Sequence, residues 1–412
     1  MLRHAAALVA AIAGLVLASP ARSQPDPPQE VFTPYALPSL SASSNTVLSR
    51  LRTEHAAADI KVVRLNVQAL TGARANSPRT LSLGDARFDS VTRQTTPLAD
   101  GRVLWKGEIA SPNAALPAGD ATLVIQGQSA TGTVSAPDGR RYQIRPLGGD
   151  ATAVIQLDFN RLRNEEPPGR PGIAAPPGAA ANAAPPPVTD LADAVPTIDL
   201  LVVYTPGAQA RSGGIDPLID LATVETNDSF INSRVTARTR VVARMLLNLS
   251  EEGKSYDQIM AEFVINASVT ARRDAARADV VVLIMNQADW CGQANDIKAT
   301  ADKAFALVHY GCATGYYSFG HELGHLIGAR HDVAMDPDAS PYPYGHGYGY
   351  PANVGAFRTV MGYACDGTPC NPRVPYWSNP SVLYNGRPTG NATTAYNARV
   401  WNERAAEVAA FR

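Results

Sequence analysis

One run constrains the rest of this 412-residue chain: Gly320-His321-Glu322-Leu323-Gly324-His325-Leu326-Ile327-Gly328-Ala329-Arg330-His331-Asp332. His321 and His325 stand four residues apart. On an α-helix that spacing stacks two imidazoles on one face, where they can grip a single cation. Glu322, one residue on, lies close to such a cation but is rotated off the ligand face, which suits it to hold a water instead of the metal. Gly328 follows one turn after the second histidine, and a glycine can leave a helix in the left-handed conformation without steric cost. The chain can then turn so that His331 arrives as a third ligand from outside the helix.

Three neutral imidazoles plus a water make an open tetrahedral zinc site, the arrangement used for catalysis. Zinc lowers the pKa of its water to about 7 and polarises a carbonyl. Glu322 is then expected to act as general base, taking the water's proton and passing it to the leaving amine. The expected reaction is hydrolysis of a peptide bond without a covalent intermediate. It asks for one zinc ion, and no feature of the sequence indicates calcium. A bare H-E-x-x-H arises by chance on exposed helices, whereas the extended form fixes two further positions and is far more specific.

The remainder of the chain agrees with an exported globular enzyme. Hydrophobic residues make up 45 % and charged residues 18 %, and the net charge is −1. That composition excludes a disordered chain, and it provides no broad basic field for nucleic acid or an anionic membrane. Arg3, the apolar run Ala5 to Leu17 and the small residues Ala21-Arg22-Ser23 read as a signal peptide over 1–23. Export would leave no stable membrane insertion and place the protein outside the cell or in the periplasm. The four cysteines, Cys291, Cys312, Cys365 and Cys370, then suggest two disulfides. Of three possible pairings, Cys291–Cys312 and Cys365–Cys370 are favoured because each closes a local loop.

Residues 167–187 hold eight prolines among alanines and glycines, a composition that behaves as an extended linker. It separates a β-rich region at 24–163, with a linker over 164–196, from a region at 197–412 that alternates strand and helix patterns. Ile198–Tyr204, Thr239–Leu249, Val280–Met285 and Phe305–His309 read as strands. Asp216–Ser233, Ser255–Ala276, Tyr316–Ile327 and Asn397–Phe411 read as helices. Val280–Met285 is apolar throughout, as in a strand buried on both faces. The alternation predicts an α/β fold with a mixed, largely parallel sheet.

The pattern His321-Glu322-x-x-His325-x-x-Gly328-x-x-His331 resembles that of the metzincin zinc peptidases. Thr359-Val360-Met361-Gly362-Tyr363 resembles their methionine-containing turn, with Met361 as a hydrophobic floor under the imidazoles. Asp332 after the third histidine is similar to the reprolysin branch. Tyr317-Ser318-Phe319-Gly320-His321, Tyr376-Trp377-Ser378-Asn379-Pro380 and Tyr384-Asn385-Gly386 look like bacterial peptidyl-Asp metalloendopeptidases. The resemblance covers about 197–412. It implies a twisted five-stranded mixed sheet above an active-site helix, an irregular lower subdomain, and a propeptide ahead of them. It also implies a monomer acting on protein or peptide substrates, a substrate strand lying along Gly292-Gln293-Ala294, and a preference for an acidic residue just after the cut bond. Arg373, or alternatively Arg358, would meet that acid.

Two departures stand out. Many metzincin propeptides silence the zinc with a cysteine, and this N-terminal region has none. A carboxylate such as Asp158 could replace it, against the plainer reading of a solvated loop residue. Tyr363, two residues after Met361, resembles the tyrosine of astacins and serralysins that binds zinc or steadies an oxyanion. Simple packing is its alternative. His309 and His346 read as structural histidines, and Asp332 as a hydrogen-bonding anchor. The competing function is a non-catalytic zinc-dependent binding protein. Loss of Glu322 or of one histidine would favour it, and none is lost.

Overall fold

A computed structural model describes residues 27–54, 56–113, 117–161, 164–165, 172–176, 195–350, 356–363 and 371–412. The signal-like run, most of the proline-rich linker, Cys365 and Cys370 lie outside the described residues.

The N-terminal region is a ten-stranded sheet. Its strands pair antiparallel except where Gln29–Glu30 joins Arg79–Thr80 in parallel. Three residues on, Phe32–Pro34 pairs with Val63–Leu65 at the other edge of the sheet. One short segment thus ties both edges together, and the sheet closes on itself as a barrel. Phe32, Trp105, Leu123, Val134, Tyr142 and Ile144 fill it. A helix at Ala42–Thr53, capped by the Ser41 hydroxyl accepting from Ser44 N–H, buries Leu48 and Leu51 against the outside.

The C-terminal region is α/β. Its sheet has the order Arg238–Leu246, Thr197–Tyr204, Val280–Met285, Phe305–His309, Gly292–Ala294, and the last strand is an antiparallel edge. Every residue of Val280–Met285 is buried. Val280, Val282 and Ile284 face a core shared with the helices Ile215–Asn232, Ser318–Ile327 and Asn397–Val408. Val281, Leu283 and Met285 face Tyr256, Ile259 and Phe263 on the other side. The helix read over Ser255–Ala276 is two helices, Tyr256–Val264 and Ala267–Ala276. Asn266 divides them because its side chain accepts from Ser268 and Val269 N–H, starting a new helix instead of continuing the old one. No helix among the described residues is long and apolar enough to cross a membrane.

The barrel seats on Ile215–Asn232 and on the segment that leads into Ser318–Ile327. Leu104 and Val124 pack on Leu221. Lys106 pairs with Asp228 at 2.5 Å and Arg102 with Asp220 at 2.6 Å. Gln143 donates to the carbonyls of Gly311 and Thr314, and Arg141 to Gly315 O and the Tyr317 hydroxyl.

Candidate metal centre

The helix Ser318–Ile327 is buried along its whole length. It ends where expected: Gly328 adopts φ 113°, and its N–H and that of Ala329 return to the last turn. The chain then reverses and delivers His331. Gly324 faces down, and a Cβ there would lie 2.6 Å from Met361 Sδ and 2.7 Å from the Trp377 ring. The glycine lets the helix rest on the methionine turn. Met361 is fully buried, and the Val360 carbonyl beside it accepts from His321 Nδ1 at 2.8 Å.

His325 Nδ1 likewise donates to Ala329 O at 3.0 Å. With both Nδ1 atoms tied to carbonyls, the two rings must turn Nε2 inward. His331 Nε2 meets them at 2.9 Å from His321 Nε2 and 3.1 Å from His325 Nε2. Burial holds all three imidazoles neutral, pushing His325 down to about 4 and the other two well below their ordinary value. Three unprotonated nitrogens aimed at one another repel unless a cation sits among them, so the donor set fits a metal ion of nitrogen preference such as zinc. Glu322, almost fully buried, packs against the edge strand, and a Cβ on Gly292 would lie 2.3 Å from its Oε1.

The other anticipated residues fall into place around this centre. Asp332 accepts from Tyr363 N–H at 2.8 Å, binding the third-histidine loop to the methionine turn. His346 Nδ1 donates to His331 O at 2.9 Å and so supports the ligand loop. His309 ends a sheet strand, mostly buried. Cys291 and Cys312 form a disulfide. The Tyr363 ring lies 4.6 Å from that of His331, and its hydroxyl donates to the Glu165 carbonyl at 2.8 Å. Arg373 and Arg358 are both buried on the ring of Tyr316, at 4.1 Å and 5.2 Å from its centroid.

Asp158 is not at the site; it closes a turn by accepting from Asn160. The carboxylate that does reach the site is that of Glu165, 1 % exposed and grouped with His321 and Glu322, their ligand atoms within 4.8 Å of one another. Sequence reasoning missed Glu165, Ser318 and Tyr316. The only sequence signal for Glu165 is an acidic pair, Glu165-Glu166, at the mouth of a proline-rich linker.

A cation is what three facing imidazole nitrogens need, and a buried carboxylate lies beside them at a sheet edge; the arrangement fits a metal-dependent peptidase. Residues 197–378 match the family described as Metallo-peptidase family M12. A peptidyl-Asp metalloendopeptidase of Stenotrophomonas maltophilia is 35 % identical over 419 residues, covering 97 % of each chain. One from Xanthomonas campestris is 35 % identical over 385 residues, covering 90 % of each. Metalloproteinase-II from Bacteroides fragilis aligns with a TM-score of 0.38 and 12 % identity over 63 % of this chain and 83 % of that one, too distant to carry an argument. The chain belongs to the M12 metallopeptidase family with these relatives, and it is a metzincin-type zinc metalloendopeptidase.

Proposed function

We propose that the protein is an exported endopeptidase, made as a precursor, that holds one zinc on His321, His325 and His331 and uses Glu322 as its general base. The observation that carries this reading is the meeting of three buried, neutral imidazole Nε2 atoms beside the Glu322 carboxylate. When bound, zinc supplies Lewis-acid polarisation of the substrate carbonyl and of the attacking water. Glu322 takes a proton from that water and returns it to the leaving amine. Tyr363, its ring 4.6 Å from that of His331, has a hydroxyl that donates to the Glu165 carbonyl and can donate instead to a substrate carbonyl oxygen that gains charge. The edge Gly292–Ala294 pairs with the substrate backbone.

The finer features belong to the same reading. Residues 1–23 act as a signal peptide, 24–163 as a propeptide, 164–196 as a linker cut on activation, and 197–412 as the catalytic domain. An acidic residue after the scissile bond is preferred, a reading supported by relatives named peptidyl-Asp metalloendopeptidase and by two buried arginines near the centre.

The test is Glu322→Gln. The variant should retain about one zinc per chain and lose turnover by about 10²- to 10⁴-fold, since only the base is removed. A strong chelator should abolish wild-type activity and Zn²⁺ restore it. Wild-type turnover by Glu322→Gln would disprove the assigned role.

A further inference from the structure

A buried ion pair links the end of the N-terminal region to the active site. Glu165 Oε1 lies 2.6 Å from Arg373 Nη1, both side chains 1 % exposed and 208 residues apart. Ser318 Oγ, at the first turn of the active-site helix, donates to the same oxygen at 2.8 Å. Arg373 is held by Tyr316 O and Gly362 O and by stacking on the Tyr316 ring. Those partners are neutral, so a carboxylate is what the guanidinium lacks until Glu165 arrives.

The backbone of the same two residues is held as a peptide would be. Asn164 O accepts from Cys291 N–H at 2.8 Å, next to the edge strand Gly292–Ala294. Glu165 O accepts from the Tyr363 hydroxyl. Further on, Ile173 N–H and C=O both bond the Asn295 side chain just past that edge. The described residues thus meet the sheet edge at both its ends, Asn164 at Cys291 and Ile173 at Asn295.

We propose that Glu165 is an intramolecular ligand of the active site, seated in a carboxylate-binding subsite made by Arg373, Ser318 and Tyr316, and that it keeps the uncut chain inactive. This rests on the peptidase reading above and assigns the acid-recognising subsite within it. The side chain fills the subsite a substrate acid would use. Its carboxylate comes within 4.8 Å of the Glu322 carboxylate, so it stands where a substrate must enter. Ligation of the metal is a different arrangement: among the described residues Glu165 groups with His321 and Glu322 and not with the full triad.

The plug fits imperfectly, and that makes it releasable. Glu165 Oε2 and Arg373 Nε are both buried without a hydrogen-bond partner among the described residues. A substrate carboxylate free of the tether can approach the guanidinium two-pronged and satisfy both. Covalent attachment compensates by keeping Glu165 at high local concentration, an advantage lost once the linker is cut.

The experiment uses the full-length zinc-loaded chain, shown intact by mass spectrometry, and linker-cut wild type. Substrates are two fluorogenic peptides that differ only in Asp or Asn after the scissile bond. Intact Glu165→Gln should cleave the Asp peptide at least about tenfold faster than intact wild type, because the binding-competent fraction rises. Glu165→Asp, which keeps the charge but shortens the reach, should fall between them and serves if the glutamine variant misfolds. Intact Arg373→Ala should also be released, yet cleave the Asp and Asn peptides alike, a result a merely structural arginine would not give. If linker-cut wild type is active but neither Glu165 variant outruns the intact wild type, the plug is overturned and the peptidase reading stands. If linker-cut wild type cleaves neither peptide, the reading falls and the plug with it.

Discussion

The two regions of this molecule carry function in opposite ways. In the C-terminal region the proposed metal ligands and base sit within one buried helix and the turn after it, His321 to His331, clamped between a sheet and the methionine turn. In the N-terminal barrel the functional features are its contacts with the other region: Arg102–Asp220, Lys106–Asp228, Arg141 on Gly315 and Tyr317. The core of each region is apolar, but the seam between them is studded with ion pairs, as in contacts that can come apart. Catalysis needs reacting groups fixed to a fraction of an ångström, so it is built on rigid neighbours in sequence. Control needs a grip that can be undone, and side chains scattered along a barrel supply that.

The sharpest way to break the comparison is to disturb the base without touching the grip. Gly292→Ala adds a Cβ that would sit 2.3 Å from Glu322 Oε1. The obstructed atom ends a flexible side chain, so Glu322 swings aside and the backbone stays. Activity of the linker-cut enzyme should drop by about 10²-fold, the usual consequence of misplacing a reacting group by about 1 Å. Zinc content and the melting temperature should hardly move. A loss of zinc instead would mean that the edge strand also positions the ligand helix.

The converse change loosens the grip and spares the centre. Arg141 is buried in the seam, with its guanidinium over the Tyr317 ring at 5.0 Å. Arg141→Ala removes its bonds to Gly315 and Tyr317 at the entrance of the active-site helix. Hydrogen exchange at 311–317 in the intact chain should speed up by about tenfold, equivalent to about 1.4 kcal/mol of lost protection. Turnover of the linker-cut enzyme should change by less than about twofold. Unaltered exchange would show that the apolar contact of Leu104, Val124 and Leu221 alone holds the barrel down.

Legibility in sequence followed the same division. The metal centre could be read because helical spacing converts directly into geometry: four residues apart means one face, and Gly328 means a reversal. The central strand Val280–Met285 was visible as an unbroken apolar run, since a strand covered on both faces needs apolar residues throughout. The barrel was half legible. Its β character showed in outline, but Pro78–Leu83, Ala86–Pro97 and the helix Ala42–Thr53 did not stand out, because their apolar residues alternate with Ser, Thr, Arg and Gln. Ala86–Pro97 buries one face only, and its pattern blends with that of a polar loop. Glu165 was beyond reach for another reason. Its partner is 208 residues away, and no local periodicity records a contact made by a tether.

The smallest expected effect is a pH dependence of the seam. Glu225 lies in the helix Ile215–Asn232, beneath the barrel and 6 % exposed. Its Oε2 accepts from Gly315 N–H at 2.9 Å. Burial raises its carboxyl from 4.5 to about 7; the Gly315 N–H and Arg141 oppose the rise, and Asp120 of the barrel adds to it. The docked state thus binds a proton more tightly than the exposed one, so this contribution to stability is complete below about pH 4.5 and fades as pH climbs through about 7. On the order of 1–3 kcal/mol is at stake, given about 1.4 kcal/mol per unit. Asp279, raised to about 6 by its own burial, adds a similar slope that does not involve the seam. The discriminating measurement is therefore a difference, with melting of intact wild type and Glu225→Gln followed from pH 5 to 8. Wild type should lose stability relative to the variant as the pH rises, because the amide stays neutral while the buried carboxyl must either ionise or force the barrel off. Parallel curves would mean that Glu225 keeps the same charge whether or not the barrel covers it, and the seam would then owe its strength to apolar and ion-pair contacts alone.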